Sequence, residues 1–366
     1  MSRVRVLIVE DSLTVRQRLC DVVSSDPELE LVGQAPDGKQ AIEMSRELRP
    51  DVLSMDMMLP IMTGVAATEY IMAHFPTPIL IVSASTNRGE LFRTYDALAA
   101  GAVDVLDKPL GTERSDEWER RYLAALKMVS RIKVITHPRA RLAGLRSGAS
   151  DDTRGRAGAA PRLSGQPAEA PRVAAIGAST GGPGALVEVL RGIPAGFPLP
   201  MVIVLHINEP FGAAFAEWLD GLTPHRVAYA RQGAPLAEAA GRVVMAPPGR
   251  HLVLSRGRFQ LTSDPERHSC RPSIDVLFDS LAQEMGAASI ASLLTGMGHD
   301  GAAGLLAIRR AGGVTIAQDE ATSVVYGMPR EAALLGAAAR VLPLPEIGAA
   351  IAEAAGVPAP AAGART

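Results

Sequence analysis

Cysteine is nearly absent from the chain. Its 366 residues hold two, Cys20 and Cys270, in stretches that read as different domains. No disulfide framework is expected, and the thiol count fits a reducing compartment. Charge of one sign is lacking as well: 37 Lys and Arg stand against 39 Asp and Glu, a net charge of −2. That balance gives no argument for nucleic acid or an anionic membrane as partner. No stretch reaches the ~18 consecutive apolar residues of a membrane span. The first apolar run stops at Glu10 and Asp11, too early for a signal peptide. No solenoid-type repeat is visible. Together these absences predict a cytoplasmic protein with no membrane insertion.

What the chain does have is apolar material, 47% of residues against 21% charged, enough to bury real cores. At this length two domains are expected. Up to about residue 128, short apolar runs (Val4–Val9, Val52–Met55, Ile79–Val82, Val103–Leu106) alternate with segments of helical spacing (Thr14–Val23, Lys39–Leu48, Val65–His74). Runs that are apolar throughout suit strands covered on both faces, and strand–helix alternation predicts a doubly wound parallel sheet. Residues 129–171 turn to Gly, Ala, Pro, Ser and Arg with few large apolar side chains, which predicts a flexible linker. Alternation resumes with Arg172–Ile176, Met201–Leu205, Arg242–Met245 and Ile290–Thr295, so 172–356 reads as a second α/β domain. The Ala/Pro/Gly-rich residues 357–366 read as a frayed tail.

Ligands of doubly wound sheets sit beyond the carboxyl ends of strands. In the first half those ends carry Glu10 and Asp11, Asp56, Ser83 and Lys108. One acid in such a place is ordinarily a helix cap; polar groups at four strand ends are not so easily explained. Three gathered carboxylates repel unless a divalent cation lies among them, and oxygen ligands suit Mg²⁺. Lys108 and Ser83 would then contact the oxygens of a phosphoryl group accepted by Asp56.

In the second half, Arg172–Ile176 runs into Gly177-Ala178-Ser179-Thr180-Gly181-Gly182-Pro183 and then a helical pattern. A strand, a glycine-flanked serine and a helix meet the needs of a nucleophile turn. The motif alone serves equally for a phosphate-binding or plain connecting turn. His206 ends the run Met201–Leu205, and Asp300 follows Leu293-Leu294-Thr295-Gly296-Met297-Gly298-His299. Three strand ends thus offer Ser179 as nucleophile, His206 as general base and Asp300 as its orienting acid. A Ser179–Asp275–His299 set would restore the residue order of α/β-hydrolases, but it leaves His206 idle and lacks the strands that precede the serine there.

The phrases Val-Glu-Asp-Ser (9–12), Met-Asp-Met-Met-Leu-Pro (55–60), Val-Ser-Ala (82–84) and Asp-Lys-Pro (107–109) resemble the response-regulator receiver family. The resemblance implies a flavodoxin-like domain phosphorylated at Asp56. It implies Mg²⁺ held by Glu10, Asp11, Asp56 and the Met58 carbonyl, with Ser83 and Lys108 sensing the phosphoryl group. Val105 stands where that family usually has an aromatic switch residue. Residues 173–353 resemble the chemotaxis protein-glutamate methylesterase (CheB) catalytic domain, through Ile-Gly-Ala-Ser-Thr-Gly-Gly-Pro (176–183), Val-Leu-His-Ile (204–207), Met-Ala-Pro-Pro-Gly-Arg-His-Leu (245–252), Arg-Pro-Ser-Ile-Asp-Val-Leu-Phe (271–278), Leu-Leu-Thr-Gly-Met-Gly-His-Asp-Gly (293–301) and Ala-Gln-Asp-Glu-Ala-Thr-Ser-Val-Val-Tyr-Gly-Met-Pro-Arg (317–330). That likeness implies the triad Ser179, His206 and Asp300, oxyanion donors among the backbone N–H groups around His206 and Met297, and a cleft lined by Thr180 and Arg271. It implies no cofactor for the esterase, chemoreceptor cytoplasmic helices as substrate, and a chemotaxis-type histidine kinase as phosphodonor. Receptor glutamine deamidation through the same site stays open. A non-enzymatic interaction domain would predict a lost triad member.

Overall fold

The computed structural model describes residues 3–84, 87–108, 115–132, 134, 170–207, 209 and 211–358. Pro109, residues 135–169 of the expected linker and residues 359–366 of the expected tail lie outside the described residues. The N-terminal unit runs β1 (Val4–Val9), α1 (Leu13–Ser25), β2 (Leu29–Ala35), α2 (Gly38–Leu48), β3 (Val52–Met55), α3 (Gly64–His74), β4 (Ile79–Ser83), α4 (Arg88–Ala99), β5 (Asp104–Asp107) and α5 (Ser115–Val129). Its five strands are parallel in the order β2-β1-β3-β4-β5. Val6 to Val9 are at most 1% exposed, because helices cover both faces of β1, so the run carries no alternating polar positions. Asp37 and Asn87 accept the N–H groups of Gln40 and Glu90 and so start α2 and α4.

Element boundaries shift by one or two residues from expectation, and two of the shifts bear on the rim. β4 runs on to Ser83, which pairs with Asp107. β5 starts at Asp104 rather than Val103, since its pairing with β4 begins at Leu80–Asp104. Both shifts are small, and they leave Ser83 and Lys108 at the rim.

The C-terminal unit runs β6 (Val173–Ala178), α6 (Gly182–Gly192), β7 (Met201–Leu205), α7 (Phe215–Leu222), β8 (Arg226–Tyr229), β9 (Arg242–Met245), β10 (His251–Ser255), β11 (Arg258–Thr262), α8 (Ile274–Glu284), β12 (Ser289–Leu293), α9 (Ala302–Arg310), β13 (Val314–Gln318), α10 (Met328–Leu334), β14 (Arg340–Leu342) and α11 (Leu344–Ala354). Seven parallel strands are ordered β14-β13-β12-β6-β7-β9-β8. The antiparallel pair β10–β11 stands outside that sheet, an addition to the doubly wound plan. The chain leaves β6 toward β7 on one side and returns to β12 on the other. The end of β6 is therefore the switch point at which such folds place ligands. No helix among the described residues is long and apolar enough to cross a membrane.

The two units share an interface built on α4. Tyr95, fully buried, donates its hydroxyl proton to the Phe211 carbonyl and packs edge-on against Phe215. The Trp218 indole donates to Asp96 (2.9 Å), and Arg88 pairs with Glu217 (3.3 Å) at the exposed margin. At Gly184 on α6 a Cβ would come within 3.1 Å of the Ala99 carbonyl, so the two helices approach at near backbone contact. The receiver-like unit thus touches both the helix that follows Ser179 and the segment that follows His206.

Candidate functional site

Three loops meet at the end of β6 and its neighbours. Ser179 directly follows β6 and is tied by its N–H to the Thr295 carbonyl (3.0 Å). The backbone then turns sharply. Gly181 has φ +78, and a Cβ there would lie 2.6 Å from Val324. On the facing loop, a Cβ at Gly296 would lie 2.7 Å from the Ser179 Cβ, so only glycine admits the serine this close. His206 follows β7, Asp300 lies beyond β12, and these two strands flank β6. His206 Nε2 is 2.9 Å from Asp300 Oδ2. The alternative set is not assembled: Asp275 meets His268 (3.0 Å) and the Gly304 N–H (2.6 Å), while His299 packs edge-on against His268.

Asp300 is 2% exposed and heavily solvated by protein donors. Ser273 Oγ–H donates to Oδ1 (2.8 Å), Ile274 N–H to Oδ2 (2.7 Å) and Asp275 N–H to Oδ1 (3.1 Å). The carboxylate therefore caps the N-terminus of α8 from another part of the chain, where free N–H groups and the helix dipole favour an anion. Burial alone would raise its pKa. The His206 contact and these donors outweigh it and hold the carboxyl below its ordinary value. For His206, burial opposes the charged ring, yet Asp300 and then the Cys270 sulfur carry its pKa up to about 9. With Nε2 committed to Asp300, Nδ1 is the nitrogen left for proton transfer. The Ser179 hydroxyl makes no hydrogen bond among the described residues, and Cys270 Sγ lies 3.7 Å from Nδ1.

The candidate oxyanion donors separate. The His206 N–H donates to the Ala178 carbonyl (3.0 Å) in the sheet ladder, which removes it from that role. The N–H groups of Thr180 and Met297 have no partner among the described residues. Thr180 follows the serine, the usual place for such a donor. Met297 exposes its side chain at 52%, and Arg271 sits half-buried with its Nε unpartnered and one terminal N–H on the Asp264 carbonyl (3.1 Å). Sequence reasoning missed Ser273, the α8 N-terminus and Cys270. The Arg-Pro-Ser-Ile-Asp phrase contains Ser273, and a Ser before a helical run was the available signal of a cap.

In the first unit, Glu10, Asp11 and Asp56 place carboxylate oxygens within 4.8 Å of one another, a donor set that fits Mg²⁺. Lys108 Nζ lies 2.8 Å from Glu10 and 3.1 Å from Asp56. Burial pushes the Glu10 carboxyl up, whereas at Lys108 the two carboxylates outweigh burial and raise the ammonium. Ser83 Oγ is buried without a partner, as a hydroxyl reserved for an incoming oxygen would be. The Met58 carbonyl accepts no backbone hydrogen bond among the described residues, while its side chain meets Arg93. Val105 is buried beside Ile81; the aromatic that reaches across to the second unit is Tyr95 on α4.

Residues 174–351 match the family described as CheB methylesterase, and residues 6–117 match the response regulator receiver domain family. The chain is 44% identical over 352 residues to a protein-glutamate methylesterase/protein-glutamine glutaminase of Anaeromyxobacter dehalogenans, covering 96% of each chain. It is 43% identical over 354 residues to one from Pseudomonas aeruginosa, covering 95% of this chain and 96% of the relative. Among solved structures, the CheB methylesterase catalytic domain of Thermotoga maritima is 34% identical, with a TM-score of 0.48, covering 50% of this chain and 99% of that one.

Proposed function

The chain belongs to the CheB methylesterase family, and on that premise we propose that Ser179, His206 and Asp300 hydrolyse glutamate methyl esters of chemoreceptor cytoplasmic helices under the control of Asp56 phosphorylation. The observation that carries the reading is the convergence of three strand ends, with His206 held on a buried, ionised Asp300 beside the tight turn of Ser179. Ser179 Oγ attacks the ester carbonyl carbon while His206 Nδ1 takes its proton. The N–H groups of Thr180 and Met297 stabilise the oxyanion; removing such a donor costs about 2.7–4 kcal/mol in comparable sites. His206 then gives the proton to departing methanol. Water, deprotonated by the same ring, cleaves the acyl-enzyme and leaves glutamate and free Ser179. A glutamine side chain entering the same site would release ammonia instead, in keeping with the double name of the relatives.

Glu10, Asp11, Asp56 and the Met58 carbonyl would hold Mg²⁺, which neutralises the crowded oxygens of the acids and the phosphoryl group. Asp56 accepts the phosphoryl group from a histidine kinase; Lys108 then exchanges a carboxylate for a phosphoryl oxygen, and Ser83 gains its missing partner. The α4 contact with α6 and the Phe211 segment supports restraint of the esterase by the receiver. The test is methanol release from methylated receptor membranes with and without a small phosphodonor and Mg²⁺. Stimulation in the wild type that disappears in Asp56→Ala supports the reading; absence of release from several receptors overturns it.

Restraint through α4 predicts a second result. Tyr95→Phe removes one buried hydrogen bond, about 0.5–1.5 kcal/mol, so unstimulated release should rise by a few-fold up to about tenfold. Assay without phosphodonor reads this directly. An unchanged basal rate would mean that the contact does not restrain the site.

A further inference from the structure

The turn 267–270 presents a group that ester hydrolysis does not use. Arg267 and Cys270 exchange both backbone hydrogen bonds (3.2 and 3.0 Å), and the residues between them, His268 and Ser269, have φ of 55 and 58. Neither is glycine, so the turn carries backbone strain that its surroundings must hold, in part through the His268–Asp275 bond. The consequence is the position of Cys270. Its free thiol lies 3.7 Å from His206 Nδ1, the one ring nitrogen not held by Asp300.

That spacing has a chemical meaning. A tetrahedral zinc ion with bonds of about 2.3 Å to sulfur and 2.0–2.1 Å to nitrogen holds the two atoms about 3.6 Å apart. A carboxylate behind the ligating imidazole completes a common zinc arrangement, and Asp300 already stands there. Cys270, His206 and Asp300 each bring a ligating atom within 4.8 Å of the others. The Asp300 oxygens are engaged by Ser273, Ile274 and Asp275, so Asp300 orients the ring rather than joining the ion.

We propose that Cys270 Sγ and His206 Nδ1 form a site for one thiophilic divalent cation of the zinc class, and that its binding silences the esterase. On binding, the Cys270 thiol and the imidazolium Nδ1 each release a proton to solvent, and Sγ and Nδ1 each donate an electron pair to the ion; no electron is transferred. The lone pair that must receive the Ser179 proton is then occupied. A nitrogen–sulfur pair suits zinc and not magnesium, so the receiver carboxylates and this site select different ions. The inhibitory half rests on His206 as the base, whereas the binding half does not.

The experiment titrates Zn²⁺ into the full chain by calorimetry, with Mg²⁺ in saturating excess to occupy the receiver acids, and repeats it with Co²⁺ to read the thiolate-to-metal absorption band. One ion per chain is expected in the wild type, with the band present. Binding and band should both be lost in Cys270→Ser, and affinity should fall about 10–100-fold in Asp300→Asn. Undiminished binding in Cys270→Ser, or Co²⁺ bound without a thiolate band, overturns the site. Zn²⁺ should also stop methanol release by the wild type, reversibly with a chelator, and slow Cys270→Ser much less relative to that variant's own metal-free rate. Stoichiometric binding that leaves release untouched overturns the inhibition, while loss of release in metal-free protein bears on the esterase reading instead.

Discussion

Ser179→Ala is expected to lower methanol release by about 10⁵–10⁶-fold, the scale seen when the nucleophile of a comparable triad is removed. The fold should barely register the change. The Ser179 hydroxyl makes no hydrogen bond among the described residues, so its loss strands no buried partner. Stability should stay within about 0.5 kcal/mol of the wild type in thermal or denaturant unfolding. The triad also predicts strong non-additivity. Once Ser179 is gone, His206→Ala should cost almost nothing more, because a base without its nucleophile has no proton to take. Cys270 sharpens the test, since its sulfur lies 3.7 Å from His206 Nδ1. Residual activity in Ser179→Ala that vanished on adding Cys270→Ser would move the nucleophile to the thiol and refute the assignment made here.

The positions of the candidate groups were legible in the sequence wherever an apolar run ended in a polar residue. Ser179, His206 and Asp300 each follow such a run, and so do Glu10, Asp56 and Lys108. Parallel sheets gather strand ends at one rim whatever the loops between them do. What was not legible has a physical reason in each case. β2 escaped notice because, at the sheet edge, it reads Leu29-Glu30-Leu31-Val32-Gly33-Gln34-Ala35, half-exposed and without a continuous apolar run. The support of Asp300 by Ser273 and the α8 N-terminus joins residues 25 to 27 positions apart, a contact made only by tertiary packing. The same holds for Cys270, brought to His206 across 64 positions by a turn with two left-handed residues and no glycine to announce it. The oxyanion donors show the converse. His206 follows its strand as expected, but the ladder bond to Ala178 that fixes its backbone also consumes its N–H.

Asp300→Asn should lower kcat about 10⁴-fold, by comparison with other Ser-His-Asp triads, and should also move the pH profile. In the wild type His206 titrates at about 9, where Asp300 and the Cys270 sulfur hold it against burial. The base is the neutral ring, so in chelator-treated buffer kcat/KM should climb about tenfold per pH unit through neutrality and level off near pH 9. Asparagine offers no charge to the imidazolium. Burial then dominates, and the rising limb should shift to lower pH even as the plateau collapses. Two separate losses are therefore expected, one in the height of the profile and one in its position. Stability follows the same pair. The folded ring titrates above the ordinary 6.5, so its contribution is complete below pH 6.5 and is lost as pH rises through about 9. Asp300 titrates below its ordinary value, so its contribution is present above 3.8 and is lost on acidification. Asp300→Asn should accordingly flatten the alkaline fall in Tm, besides destabilising the protein by about 1–3 kcal/mol through donors left without a carboxylate. A wild-type profile already flat from pH 7, or one whose limb stays in place in Asp300→Asn, would show that this ion pair does not set the protonation of the catalytic base.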